Sequence, residues 1–180
     1  MRIVAGKFRH RIIDMTNLET TRETQDSVRE AIFNMIGPYF DGGICLDLFA
    51  GSGAMALEAY SRGMNQIYLN DLNNKALDIC KKNASKLGIL DAHFYNLDYL
   101  DFLNKIEVKF DLIILDPPYK MNDIDFIVEK TKNVLNKKGI IVFEMAKESK
   151  FKEEYENLKL IKNKTYGIKR VLVFKGDCNE

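Results

Sequence analysis

The sequence predicts an α/β domain on a seven-stranded, mostly parallel sheet that ends in an antiparallel hairpin and carries a small N-terminal extension. Three observations lead there. From Ile44 onward, short apolar runs alternate with segments whose apolar residues recur at helical spacing. The apolar runs are nearly continuous, as in parallel strands buried on both faces. The last two runs are too close in sequence for a crossover connection and so must pair antiparallel.

Each element follows from its own signals. Residues 2–14 (RIVAGKFRHRIID) read as a short hairpin or extended arm bending at Gly6. Residues 24–37 read as a helix with Val28, Ile32, Phe33 and Ile36 on its apolar face, Thr24 as its cap and Gly37-Pro38 as its stop. Strands are expected at 44–50, 66–71, 93–98, 110–115 and 139–145. Between them come helices at 53–62, 73–87 and 123–136, with a short one after Asp98. The tail supplies a helix near 149–156, then strands 158–165 and 168–175 around Gly167. Residues 1–40 thus form an extension on a domain spanning 41–180.

Composition narrows the class. A chain of 180 residues with 46% hydrophobic and 29% charged residues suits one well-packed globular domain. No apolar run approaches the roughly 20 residues of a membrane span, and the first residues lack the apolar core of a signal peptide. A cytoplasmic protein without a membrane partner is expected, and a monomer, since nothing marks a dimer interface. Cys45, Cys80 and Cys178 are far apart and form no CxxC pair, so reduced thiols are expected, with no disulfide framework and no metal site. Net charge is only +1, yet residues 1–13 carry Arg2, Lys7, Arg9 and Arg11 with no acid. Such a patch can hold phosphate; the alternative is a solvated strand.

The chemistry-bearing residues gather at strand ends. Residues 46–59 (LDLFAGSGAMALEA) run from a strand through a glycine turn into a helix, and Gly51 and Gly53 permit a tight turn with a ligand close to the backbone. Asp71 ends the next strand, where an α/β nucleotide site places a carboxylate on ribose hydroxyls, and Asp98 ends the third, where it can meet an adenine edge. Asp47 decides between adenine-containing cofactors. A carboxylate four residues before Gly51 repels a pyrophosphate but attracts the ammonium and sulfonium of S-adenosylmethionine. At the end of the fourth strand stands Asp116-Pro117-Pro118-Tyr119. The two prolines fix the backbone and remove two N–H donors, so Asp116 and the Pro117 carbonyl become two acceptors for one exocyclic amine, with Tyr119 as a ring for the base to stack on. The two histidines, His10 and His93, give no sign of a catalytic triad.

Together with the preceding TRETQDSVREAIFNMI, these motifs resemble the RsmD-type bacterial small-subunit ribosomal RNA guanine-N2 methyltransferases. The more specific part is the pattern met by Arg22, Thr24, Asp26, Val28, Arg29, Glu30, Phe33 and Asn34. The resemblance implies a Rossmann-like class I methyltransferase fold, S-adenosylmethionine as cofactor, and 16S ribosomal RNA or the 30S assembly particle as partner, with the guanine named 966 as target. It implies that Asp47, Phe49, Gly51, Gly53, Asp71 and Asp98 hold the cofactor. It also implies that Asp116, Pro117 and Tyr119 hold the amine, and that Arg2, Lys7, Arg9, Arg11, Arg22 and Arg29 contact RNA. There are departures: Glu23 stands where the family usually has Pro, Ser27 where an Arg is common, and His10 where a Gly is common. The first two are expected to weaken phosphate attraction. Two other readings stand beside this one: an adenine-N6 methyltransferase on nucleic acid, and a non-catalytic ribosome-assembly protein that binds RNA.

Overall fold

A computed structural model describes residues 1–18 and 23–177. The parallel part of its sheet comprises β1 (Ile44–Asp47), β2 (Gln66–Asn70), β3 (Ala92–Tyr95), β4 (Phe110–Leu115) and β5 (Leu135–Ala146). It is extended by β6 (Glu154–Tyr155), β7 (Leu158–Tyr166) and β8 (Lys169–Gly176). The order across the sheet is β3-β2-β1-β4-β5-β8-β7-β6, with β8 antiparallel to both β5 and β7. The expected parallel sheet and terminal hairpin are therefore present, and two-residue β6 adds an eighth strand at the edge.

The strands alternate sides as the pleat requires. Cys45, Ile67, Leu69, Leu112, Ile114 and Val142 bury on one face, with α1 (Asp26–Ile36), α2 (Ala54–Ser61) and α3 (Asn74–Leu87) supplying the cover. Leu46, Tyr68, Ile113, Leu115, Ile141 and Phe143 bury on the other, beneath α4 (Tyr99–Lys105) and α5 (Ile124–Thr131). β1 pairs with β2 on one side and β4 on the other, so the order of connections reverses there. That reversal opens a crevice at the carboxyl ends of β1 and β4.

Two expectations about helices are corrected. No helix forms at 149–156. Tyr155 instead pairs with Leu158 across a two-residue turn in which Asn157 takes φ 60°. The Tyr155 hydroxyl and the Lys152 N–H both donate to Asp125 Oδ1, at 2.6 and 2.8 Å, so edge pairing and this acceptor override local helical spacing. Nor does Thr24 cap α1. The cap position is Gln25, without a side-chain bond, and the Thr24 hydroxyl is directed to Glu144. Gly37 does end α1, at φ 116°.

The N-terminal arm is not a solvated strand. Ile3 and Ile13 are fully buried in the same core as α1 and α2, and Arg2 bridges to Ile12 in antiparallel fashion. Fully buried Glu58 of α2 anchors it, accepting the Val4 and Ala5 N–H groups at 2.9 and 3.0 Å, Arg29 Nε at 3.3 Å and Arg62 Nε at 2.9 Å. Gly6 is required at the bend: at φ 82° it lies so close to α2 that a Cβ would sit 1.8 Å from the Ser61 carbonyl oxygen. His10, where the family commonly has Gly, keeps the left-handed backbone at φ 70°.

Candidate active site

The crevice opens into a cavity of about 620 Å³ that receives the loops after β1, β2, β3 and β4. The acids singled out from sequence gather there: Asp47 at the end of β1 and Asp71, Asp98 and Asp116 in the following loops all line it. Phe49, Gly51, Pro117 and Tyr119 line it too, so most of the predicted cofactor and amine residues share one space.

Gly53 is the exception. It stands at φ 83° at the start of α2, and a Cβ there would meet Leu69 Cδ2 at 3.0 Å and Cys80 Sγ at 3.2 Å. Its smallness seats the turn against the core and does not leave room for a ligand. The turn is held from several sides. Asp71 accepts the Gly51 N–H through Oδ2 and the Asn73 N–H through Oδ1, both at 2.8 Å. Cys80 Sγ donates to the Gly51 carbonyl at 2.8 Å, and Asn83 Nδ2 donates to the Ser52 carbonyl at 3.0 Å. Asn70, which sequence reasoning passed over, ties two loops together by donating to the Leu48 and Leu97 carbonyls at 3.3 and 3.0 Å. Asp98 lies three residues beyond β3 and caps α4 through a 2.9 Å bond from the Leu100 N–H.

The electrostatics are lopsided. Among the described residues no cation pairs with Asp47, Asp71 or Asp98. Burial pushes the Asp47 carboxyl up to about 8, and the charges of Asp71, Glu144 and Glu23 add to it. Burial likewise raises Asp71, against its two backbone bonds. Burial and then the Glu144 charge hold Asp116 well above the carboxylate range, while Lys169 opposes them. A cavity that strains its own carboxylates in this way is complementary to a cationic ligand.

In the turn after β4 the Pro118 carbonyl accepts the Met121 N–H at 2.8 Å, whereas the Pro117 carbonyl takes no bond from the described backbone. The two acceptors expected from Asp116 and Pro117 are thus available. Tyr119 is half exposed at the rim.

Four residues of the neighbourhood were not legible as site residues. Glu23 and Thr24 line the cavity although they belong to the N-terminal segment. Glu23 accepts Ser52 Oγ at 2.8 Å and Thr16 Oγ1 at 3.1 Å, so its charge faces the glycine turn and not an RNA phosphate. Glu144, buried on β5, and Lys169 from β8 complete the surroundings of Asp116. Their signal in the sequence was an acid inside an apolar strand and a lysine beside a hairpin turn, neither of which marks a site by itself.

The cations expected to contact RNA separate into groups. Arg9 and Arg11 are exposed, with Arg11 Nη2 donating to the Lys86 carbonyl at 2.8 Å. Lys7 lies with its Nζ 4.2 Å from the centre of the Tyr60 ring, at the far end of α2 from the crevice. Arg2 pairs at 3.6 Å with Asp26, two residues from cavity-lining Thr24. Arg29 is a correction: its side chain is fully buried, bound to Glu58, to Asp26 at 2.9 Å and to the Arg2 carbonyl, so it holds the arm in place and cannot reach a phosphate. Arg22 lies outside the described residues.

The model of the family described as "Conserved hypothetical protein 95" matches residues 1–175. Ribosomal RNA small subunit methyltransferase D of Haemophilus influenzae is 35% identical over 176 residues, covering 93% of this chain and 90% of that protein. The chain belongs to the RsmD-type methyltransferase family. Bacillus subtilis YlbH is 38% identical over 181 residues, covering 97% of this chain and 98% of its own. Among solved structures, a conserved hypothetical protein of Streptococcus pyogenes is 38% identical, covers 84% of this chain and 97% of its own, and superposes with a TM-score of 0.80. The RsmD-type likeness thus extends from the N-terminal arm to β8 and includes the elements that form the cavity.

Proposed function

We propose that this protein methylates small-subunit ribosomal RNA, at the exocyclic N2 amine of a guanine, with S-adenosylmethionine as the methyl donor. The observation that carries the reading is the acid-lined cavity: Asp47 beside the glycine turn, and Asp116 with the Pro117 carbonyl, the former without a cation and the latter without a donor among the described residues. Membership in the RsmD-type family supports ribosomal RNA as the substrate, and the N-terminal resemblance supports guanine.

Asp47 faces the cationic part of the cofactor, Asp71 and Asp98 offer their remaining lone pairs to its hydroxyl and amine groups, and Phe49 gives it an apolar side. When bound, the cofactor supplies a methyl group on a positively charged sulfur. The chain's own contribution is to hold the acceptor nitrogen. Asp116 and the Pro117 carbonyl each accept one N–H, drawing the amine toward a pyramidal shape in which its lone pair is available for attack. Asp116 then takes the proton that the nitrogen releases. Tyr119 stacks on the base, which must be unpaired or flipped out to reach it.

The test is methyl transfer to 30S particles or 16S RNA from cells lacking the modification, with the product nucleoside mapped by mass spectrometry. N2-methylguanosine at one position is the expected result. N6-methyladenosine would transfer the site to the adenine reading, and no RNA methylation beside intact cofactor binding would overturn the proposal.

A further inference from the structure

The amine site contains a buried cation to which the methyl-transfer scheme assigns no task. Lys169 opens β8, paired with Ala146, and so lies where β5 reaches the carboxyl edge of the sheet. Its Nζ stands 3.7 Å from Asp116 Oδ2 and 3.6 Å from Glu144 Oε1, beyond hydrogen-bond reach of either. That nitrogen is buried and has no hydrogen-bond partner among the described residues, an uncommon state for a group with three donors. Of the described residues that line the cavity, only Lys169 and exposed Lys120 carry positive charge, against the acids Glu23, Asp47, Asp71, Asp98 and Asp116.

The opposite end of the ion pair is fixed. Glu144 is fully buried, and the Thr24 hydroxyl lies 3.1 Å from each of its oxygens. Glu144 therefore holds still while Lys169 lies between it and Asp116. The charged groups that face Asp116 are Glu144 on β5, Asp47 at the end of β1, Glu23 from the N-terminal segment and Lys169 itself. Three of those four favour a protonated Asp116, and burial favours it further; Lys169 alone works the other way. A protonated Asp116 would offer the amine one acceptor fewer and could not take up the proton that methyl transfer releases.

We propose that Lys169 is a positioning residue for methyl transfer: its ammonium offsets part of the cost of placing a negative charge on Asp116 and draws that carboxyl into place for the amine, with Glu144 as the buried anchor of the ammonium. The assignment rests on the reading of Asp116 as the amine acceptor. Held by charge alone, the ammonium can follow the carboxylate as the base arrives without breaking a hydrogen bond of its own.

Lys169→Met, Lys169→Arg and Glu144→Gln are compared in the full chain by methyl transfer to unmodified 30S particles between pH 5.5 and 9.5, with S-adenosylmethionine affinity measured by calorimetry. For Lys169→Met, kcat at pH 7.5 is expected to fall about 10- to 100-fold, and the acid limb of the rate profile to move up by about one to two pH units. Cofactor affinity should change little, and Lys169→Arg should restore most of the rate. Glu144→Gln removes a competing acid, so its acid limb should move down; this variant carries the test if Lys169→Met unfolds. Limbs that stay in place in both variants while the unaltered protein is active would overturn the role of Lys169 alone. No transfer by the unaltered protein, with cofactor bound, would overturn the methyl-transfer reading itself and the assignment with it.

Discussion

Asp47→Asn should make the cofactor-free protein more stable and a poorer cofactor binder, with a gain in stability that grows with pH. Asp47 is 2% exposed and its carboxyl is pushed up to about 8 by burial, against an ordinary value of 3.8. The unfolded chain ionises first, so between about pH 4 and pH 8 the folded protein binds the extra proton and stability falls as pH rises. The gap between the two values corresponds to about 5–6 kcal/mol, an upper figure. The relaxation and water penetration common around buried charges reduce it to about 2–4 kcal/mol at pH 8 and well under half of that at pH 5. Asn has the shape of the neutral acid without the titration. Urea unfolding without cofactor, followed by far-ultraviolet circular dichroism, should show that difference between variant and parent at pH 8 and a much smaller one at pH 5. In a chain of this length the melting temperature at pH 8 should rise by about 5–12 °C. A gain of the same size at both pH values would mean improved packing, and no gain at pH 8 would refute the claim that the free cavity strains this acid.

The same linkage makes cofactor binding pH-dependent: a cation beside Asp47 should expel its proton, so affinity should strengthen from pH 6 toward 8. Calorimetry in two buffers of different ionisation enthalpy measures that proton release. Asp116→Ala should lower kcat by about 10²- to 10⁴-fold while cofactor affinity persists, and equal loss of both would contradict its place at the amine end. Tyr119→Ala should weaken binding of the RNA by roughly 5- to 150-fold, the equivalent of about 1–3 kcal/mol of lost stacking, with kcat for cofactor-saturated enzyme much less affected. Glu58→Gln leaves Arg29 and Arg62 buried against a neutral partner and should cost about 3–5 kcal/mol. Hydrogen exchange should then show the Val4 and Ala5 amides losing protection; unchanged protection would place the arm's anchor elsewhere.

The parts of the fold that burial on two faces determines were legible in the sequence. β1, β4 and β5 read as strands because residues such as Leu46, Ile113 and Phe143 must find apolar cover whichever way they point. The acids at strand ends were legible because chain order alone places each at the carboxyl edge. What local pattern could not supply were partnerships across long separations. Arg29 looked like a surface cation until Glu58, 29 residues later, neutralised it in the core. Residues 149–156 had helical spacing, but Asp125 and β7 offered the backbone better partners. Glu23 seemed to subtract from the RNA surface because its closeness to Ser52 depends on how the arm folds back. Lys169 had no visible task, since its meaning comes from Glu144 on β5 and Asp116 just past β4.

The charge distribution also constrains how the proposed substrate must enter. Among the described residues five acids line the cavity, and the buried cation Lys169 is already flanked by two acids. A polyanionic backbone cannot follow its base into such a space; phosphates have to stay outside, where Arg2, Arg9, Arg11 and Lys120 are exposed. Only an uncharged base with donor hydrogens can approach Asp116 and the Pro117 carbonyl, while a cationic cofactor relieves the carboxylates behind them. Under the proposed function the acids would therefore do two things at once: attract the methyl donor, and require that the RNA present a single extruded nucleotide. On this reasoning, RNA affinity should fall steeply with salt through the surface cations, whereas turnover of bound RNA should depend on Asp116 and hardly on ionic strength. A turnover rate that fell with salt in parallel with affinity would mean that phosphates enter the cavity after all.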